Sequence, residues 1–236
     1  MSVESKSEVA ERPNRVLMPD GMGFVECLDV FGDDLTVVNA ARVSFDKVSQ
    51  SLSQGDKKLI QYLAKHEHVS PFFHPQVRLR IKMPIFVARE WFRHTIGFSR
   101  NEVSRRYVDS VPECWVPAKE ELRERDAKLK QGSKATPVSE ADEAHNLIAE
   151  HTRGTVALYE SLLAKGVAPE VARCILPQSM YTEFIETASL AAVARLCHLR
   201  LGPDAQKEIR GYAGALSDLM EKAFPVSWVA LRQADE

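Results

Sequence analysis

Cysteine is scarce in this 236-residue chain: Cys27, Cys114, Cys174 and Cys197 stand far apart and form no Cys-x-x-Cys pair. That spacing argues against a disulfide scaffold and the usual zinc arrangements, and it suits a cytoplasmic protein with free thiols and no bound metal. Also missing is any run of about 18 apolar residues, the least a membrane-spanning helix needs. The opening MSVESKSEVAERPNR alternates charged and small residues without an apolar stretch, so residues 1–15 are expected to be a disordered tail. Excess charge of either sign is absent too, since 31 basic against 33 acidic side chains leave -2. Proteins that coat nucleic acid or membranes usually carry a basic excess over a whole face, so neither is an expected partner and any anion site must be local.

What is present supports an ordinary core: 44% of the residues are hydrophobic, and a chain of this length hides roughly 70–75% of its unfolded surface. Gly23 to Val30 alternates loosely, which predicts a strand, with a turn at Phe31-Gly32-Asp33-Asp34. Asp56 is positioned to cap a helix through Lys65, and Leu59, Ile60, Leu63 and Ala64 mark its core face. Val77 to Met83 alternates strictly and predicts a half-buried strand, after which Pro84 suits the first turn of a helix running to His94. Residues 118–144 are highly charged and read as an insertion made of a solvated helix piece and a flexible loop. Helices are then expected at His145 to Lys165, Pro169 to Ile175, Thr182 to Leu199 and Asp204 to Lys222. The sum is a single α+β domain over residues 16–236, with a small, mainly antiparallel sheet packed against several helices.

Chemistry concentrates in two places. Arg89, Arg93, Arg100, Arg105 and Arg106 are opposed by only Glu90 and Glu102 and joined by His94. Arginine forks match phosphate oxygens, and Asn, Ser and Glu read the edge of a heterocycle. A solvated basic loop accounts for the same residues, and Arg100 to Tyr107 also resembles a single-stranded nucleic-acid contact. The second place is Thr187 to Arg200, apolar nearly all round and therefore expected to be buried. Arg195 and Arg200 on it should face internal carboxylates or an anionic ligand. Cys197-His198 suggests a nucleophile with its base, yet adjacent helical residues point about 100° apart. Cys197 falls in phase with Leu190, Val193 and Ala194, so it reads as core, as does Cys174. His66, His68 and His74 read as capping or packing residues.

Five segments in order carry a resemblance: Asn39 to Phe45, His68 to Phe72, Pro84 to His94, Asn101 to Tyr107, and Pro169 to Pro177. Together they resemble the flavin-dependent thymidylate synthase family from Gly23 to about Tyr212. The resemblance implies a homotetramer with active sites shared between subunits. It implies reductive methylation of dUMP to dTMP, with methylenetetrahydrofolate as one-carbon donor, FAD reduced by NADPH, and no cysteine nucleophile. It assigns Glu90, Trp91, Phe92, Arg93, Glu102, Val103, Ser104, Arg105, Arg106, Arg173 and Arg200 to dUMP, with Arg200 as the catalytic cation beside the pyrimidine N3. To FAD it assigns His68, Ser70, Arg93, His94, Thr95, Ile96, Asn101 and Glu102; Ser189 and Arg195 are added to that set although the family commonly has Asn-x-Arg where this chain has Ser189-Leu190-Ala191, and an Asn where it has Arg195. Where the family has Arg-His-Arg, seven residues and Ser, this chain has Arg93-His94-Thr95, eight residues and Ser104. Arg195, one turn beyond Ala191, is expected to replace the missing flavin-phosphate cation. A family member with lost or altered activity is the alternative.

Overall fold

Strict alternation along Gln76–Pro84 (β3) decides the layout of the sheet. Val77, Leu79, Ile81 and Met83 all fall on its buried face, as period-two geometry requires. The computed structural model describes residues 14–108, 110–126 and 132–233. Most of the expected N-terminal tail and the 127–131 part of the charged insertion lie outside the described residues. Within the tail region, the Asn14 carbonyl accepts from the Cys27 N–H, and Arg15 opens a strand.

Phe24–Phe31 (β2) and Tyr181–Ser189 (β7) flank β3, and Arg15–Leu17 (β1) and Phe98–Glu102 (β4) complete a five-stranded sheet in the order β1-β2-β3-β7-β4. Every neighbouring pair is antiparallel. The α+β class and the antiparallel sheet agree with expectation; the sheet is wider than the sequence suggested. Two segments explain the difference. β7 was expected to be helical, because its buried face carries Glu186 and its open face carries Ile185, which inverts the usual pattern. β4 was expected to be loop, because its residues are mostly polar and half-exposed at the sheet edge.

The helices differ at their ends for local reasons. The expected turn runs straight into an unexpected helix, Asp34–Arg42 (α1), since Asp33 and Thr36 exchange hydrogen bonds in a capping box. Gln54–Lys65 (α2) is capped by Ser53, with Asp56 as the reciprocal partner rather than the cap. Its carboxyl is held well below the usual range by the Ser53 hydroxyl and N–H, with help from Arg42. Pro84 ends β3 and caps Ile85–Trp91 (α3), which stops short of His94. The charged insertion forms a hairpin, Arg123–Arg125 (β5) with Ser133–Pro137 (β6). Ala141–Ala164 (α4) and Pro169–Ala172 (α5) follow. Leu190–Leu201 (α6), Lys207–Ala223 (α7) and Pro225–Gln233 (α8) close the chain.

Core side chains from α1, α2, α6, α7 and α8 join the buried face of the sheet in one cluster, which holds Ile60, Leu196, Leu216 and Trp228 together with Leu79 and Ile81. α4 stands outside this cluster, burying only Thr152 and Tyr159 and exposing Leu147 and Leu158. Among the described residues, no helix is long and apolar enough to cross a membrane.

Candidate active site

The turn between α3 and β4 is built around a buried acid. Glu186 of β7 is 0% exposed. Its Oε1 accepts from Trp91 Nε1 at 3.0 Å, and its other oxygen pairs with Arg100. Burial lifts its carboxyl above the usual range, and Arg100 opposes that lift. Arg100 also donates from Nη2 to the His94 carbonyl at 3.3 Å, and its guanidinium lies 4.4 Å from the Phe92 ring centre. Gly97 lets the turn close onto α6: with φ of 81°, its carbonyl accepts from the Ser189 N–H at 3.1 Å. A Cβ there would come within 2.7 Å of the Ala192 Cβ.

Arg200, near the end of α6, docks onto this turn. Its Nε donates to His94 Nε2 at 3.0 Å, its Nη2 to the Glu90 carbonyl at 3.1 Å, and its Nη1 lies 3.6 Å from Glu90 Oε2. His94 is itself buried, and burial, then Arg200, Arg195, Arg100 and Arg93, lower its pKa to about 4. The ring is therefore neutral at pH 7. Arg93 and Arg200 open into a cavity of about 1100 Å³, where Glu90, Asp204, Lys207 and Arg210 meet Arg123 and Lys134 of the hairpin. Six cations and two acids line it, and of the cations Arg123, Lys134 and Lys207 are paired with Glu208, Glu124 and Glu121.

A second group of expected residues adjoins the same turn. Ser189 caps α6, accepting from the Ala192 N–H. Arg195 donates to the Ile96 carbonyl at 3.0 Å. It is exposed, contrary to the expectation of a helix buried on all sides. α6 packs on one face only, and Arg195, His198 and Leu199 form the other; its many alanines hid that asymmetry. Thr95 and Ile96 are exposed beside it, and Ser70 opens the neighbouring 3-10 turn, Ser70–Phe73, whose Phe73 approaches Gly97. His68 stacks edge-on to Tyr62 at 6.0 Å. Exposed cations, hydroxyls and the N-terminus of α6 make a donor set that suits a ligand with phosphates.

The remaining expected residues lie elsewhere in the chain. Glu102, Val103, Ser104, Arg105 and Arg173 line a separate cavity of about 380 Å³ with Tyr181 and Thr182. Thr182 Oγ1 donates to Glu102 Oε1 at 2.5 Å. Asn101 is next to Glu102 at that end of β4, and Arg106 reaches Glu170 at 3.6 Å. One chain therefore does not bring Arg93 and Arg200 together with Arg105 and Arg173. The Trp91 side chain is sealed in the core, where it donates to Glu186 and lines neither cavity. The Arg100 to Tyr107 strip is not a free cationic surface: Arg100 is paired with Glu186, Arg105 with the Ser110 carbonyl and Arg106 with Glu170.

Cys197 is a core thiol, fully buried with Sγ 3.7 Å from the Ala213 carbonyl, and burial pushes it up to about 12. Cys174 departs from its expected core role and is exposed on the 3-10 turn after α5. Sequence reading missed Glu186, Lys207 and Arg210. A lone acid in phase with Thr182, Phe184 and Ala188 was the available signal for Glu186; the other two resemble any charge on an amphipathic helix.

A family model described as thymidylate synthase complementing protein matches residues 26–226. A flavin-dependent thymidylate synthase of Thermus thermophilus is 39% identical over 211 residues, covering 89% of this chain and 76% of its own. That of Anaplasma marginale is 36% identical over 227 residues, covering 95% of this chain and 76% of its own. Among solved structures, the UMP/dUMP methylase PolB of Streptomyces cacaoi, bound with 5-Br dUMP, matches with a TM-score of 0.78 at 29% identity, over 89% of this chain and 94% of that one.

Proposed function

The chain belongs to the flavin-dependent thymidylate synthase family, and on that premise we propose how its own residues turn dUMP into dTMP. The one-carbon donor is methylenetetrahydrofolate, and NADPH is the final reductant. Arg200 carries the reading. Its guanidinium is held by His94 Nε2 and Glu90 at the wall of a cationic cavity. A fixed cation beside N3 and O4 of uracil favours the N3 anion, which enriches C5 in electrons. C5 then bonds to the methylene carbon, tetrahydrofolate leaves, the C5 proton is lost, and two electrons with a proton complete the methyl group. FAD, when bound and reduced, supplies those electrons as hydride.

Arg93, Arg195, Ser70, Thr95, Ile96, His94 and the capped start of α6 would hold the flavin, and Arg195 takes the place of the cation lost one turn earlier, at Ala191. Cys197 has no part, because a buried thiol held up at about 12 offers no thiolate at neutral pH.

A homotetramer belongs to the same reading. Arg106 and Arg173, with the Glu102 to Arg105 segment, would bind dUMP from a neighbouring copy, meeting Glu90, Phe92, Arg93 and Arg200 across the interface. The separation of the two sets into two cavities of one chain supports this, as does the largely unburied α4. The cytoplasm is the proposed location, where four unpaired cysteines are stable.

A turnover assay tests the reading, with dUMP or UMP offered alongside methylenetetrahydrofolate, FAD and NADPH. The expected result is methylation of dUMP, loss of at least 100-fold with Arg200→Ala, and near-full activity with Cys197→Ala. Loss of turnover in a folded Cys197→Ala protein would overturn the cysteine-free mechanism, and methylation of UMP alone would move the substrate. In the same series Arg195→Ala should weaken FAD binding at least tenfold; unchanged affinity removes its role.

A further inference from the structure

Both oxygens of Glu186 serve one ten-residue segment. Trp91 opens that segment and Arg100 closes it, and both donate to this carboxylate. Between them lie Arg93, His94, Thr95 and Ile96. Arg100 then reaches back from the acid to the middle of the turn, at the His94 carbonyl. On the far side of His94 the ring accepts from Arg200 Nε at 3.0 Å. A guanidinium has donors only, so that bond requires a lone pair on Nε2 and places the His94 proton on Nδ1.

Burying an acid and an arginine is a poor way to gain stability alone. Well-packed apolar residues of similar volume often serve as well or better, because desolvation offsets the attraction. Here the buried pair is aimed at a site loop, from a strand paired on both sides: Glu186 is registered against Leu79 of β3 on one side and Arg100 of β4 on the other. We propose that Glu186 is a positioning residue: through Trp91 and Arg100 it fixes the 92–97 turn, and through His94 it sets the direction of the Arg200 guanidinium. Glu186 touches no reactant. Its effect on chemistry rests on the reading above, in which Arg200 faces the pyrimidine; its effect on His94 does not.

The experiment compares Glu186→Gln with the wild type as full-length holoenzymes, using two readouts. Nitrogen-15 NMR of histidine-labelled protein, with the His94 signal assigned by its loss in His94→Gln, reports which ring nitrogen carries the proton. Steady-state kinetics gives kcat and KM for dUMP. The wild type should show His94 protonated on Nδ1 at pH 7. Glu186→Gln should show mixed tautomers, with kcat at least tenfold lower. A purely structural role would lower the melting temperature and move neither readout, which overturns the proposal; so does movement of only one of them. If Glu186→Gln does not fold, Arg100→Lys decides by the same readouts, because it keeps a cation for the acid but removes the guanidinium fork whose Nη2 reaches the His94 carbonyl. Absence of dUMP turnover in the wild type would sink the proposed function, and the tautomer alone would then decide the role of Glu186.

Discussion

Held among Arg93, Arg100, Arg195 and Arg200, His94 declines a proton that an unfolded histidine accepts. Its pKa is lowered to about 4, by burial first and by the arginines second, whereas an unperturbed imidazole titrates near 6.5. Between those values the unfolded chain binds more protons than the folded one, so stability from this group is complete above the unfolded value and is lost as pH falls. The loss amounts to about 3 kcal/mol at most. Urea unfolding at pH 7 and pH 5 should show the wild type losing more stability than His94→Gln; equal losses would mean that the ring is not held neutral. The sequence made this cluster visible as a concentration of arginines around one histidine. It did not reveal Glu186, because the phase with Thr182, Phe184 and Ala188 that marks this acid as buried exists only when the segment is read as a strand, and it reads as a helix. Cys197 was legible, since helical phase alone placed it with Leu190, Val193 and Ala194. Cys174 was not, because its short turn has no phase to read.

Where an element begins and ends decides whether the site forms. Ser189 closes β7 and starts α6, and the preceding turn fits against it only because Gly97 has no side chain. At φ of 81°, Gly97→Ala would be strained, and its Cβ would lie 2.7 Å from Ala192 and 2.9 Å from the Ser189 hydroxyl. The expected cost is about 1–3 kcal/mol from the backbone alone, with a shift of the 93–97 turn that weakens FAD binding as well. Thermal unfolding and flavin titration of Gly97→Ala check both, and a variant matching the wild type in each would show the turn to be loosely held. β3 was fully legible because Val77, Leu79, Ile81 and Met83 alternate without exception. β7 was not: Ile185 faces outward and Glu186 inward, so each contradicts its residue type. The α1 start was missed for a similar reason, as an Asp33 and Thr36 capping box lacks the usual glutamate.

At the scale of the whole molecule, a net charge of -2 concealed a cationic cavity balanced by acids elsewhere. No pattern in one chain announces that its expected site residues will occupy two cavities, because sequence order says nothing about which loops the fold brings to one place. The two-cavity arrangement leads to a test of the assembly. If a complete site takes Arg200 from one copy and Arg173 from another, then Arg200→Ala and Arg173→Ala homomers are each inactive, although neither lacks the other's residue. Mixing the two proteins and letting subunits exchange places intact halves opposite each other. With random exchange at equal amounts, about a quarter of the sites receive two wild-type halves, and activity should return to about a quarter of the wild-type value. Size-exclusion and light-scattering measurements on the same mixtures would confirm that exchange took place. Exchange without any recovery would place each site within a single chain, and the separation of Arg200 from Arg173 would then have to be closed by movement inside that chain.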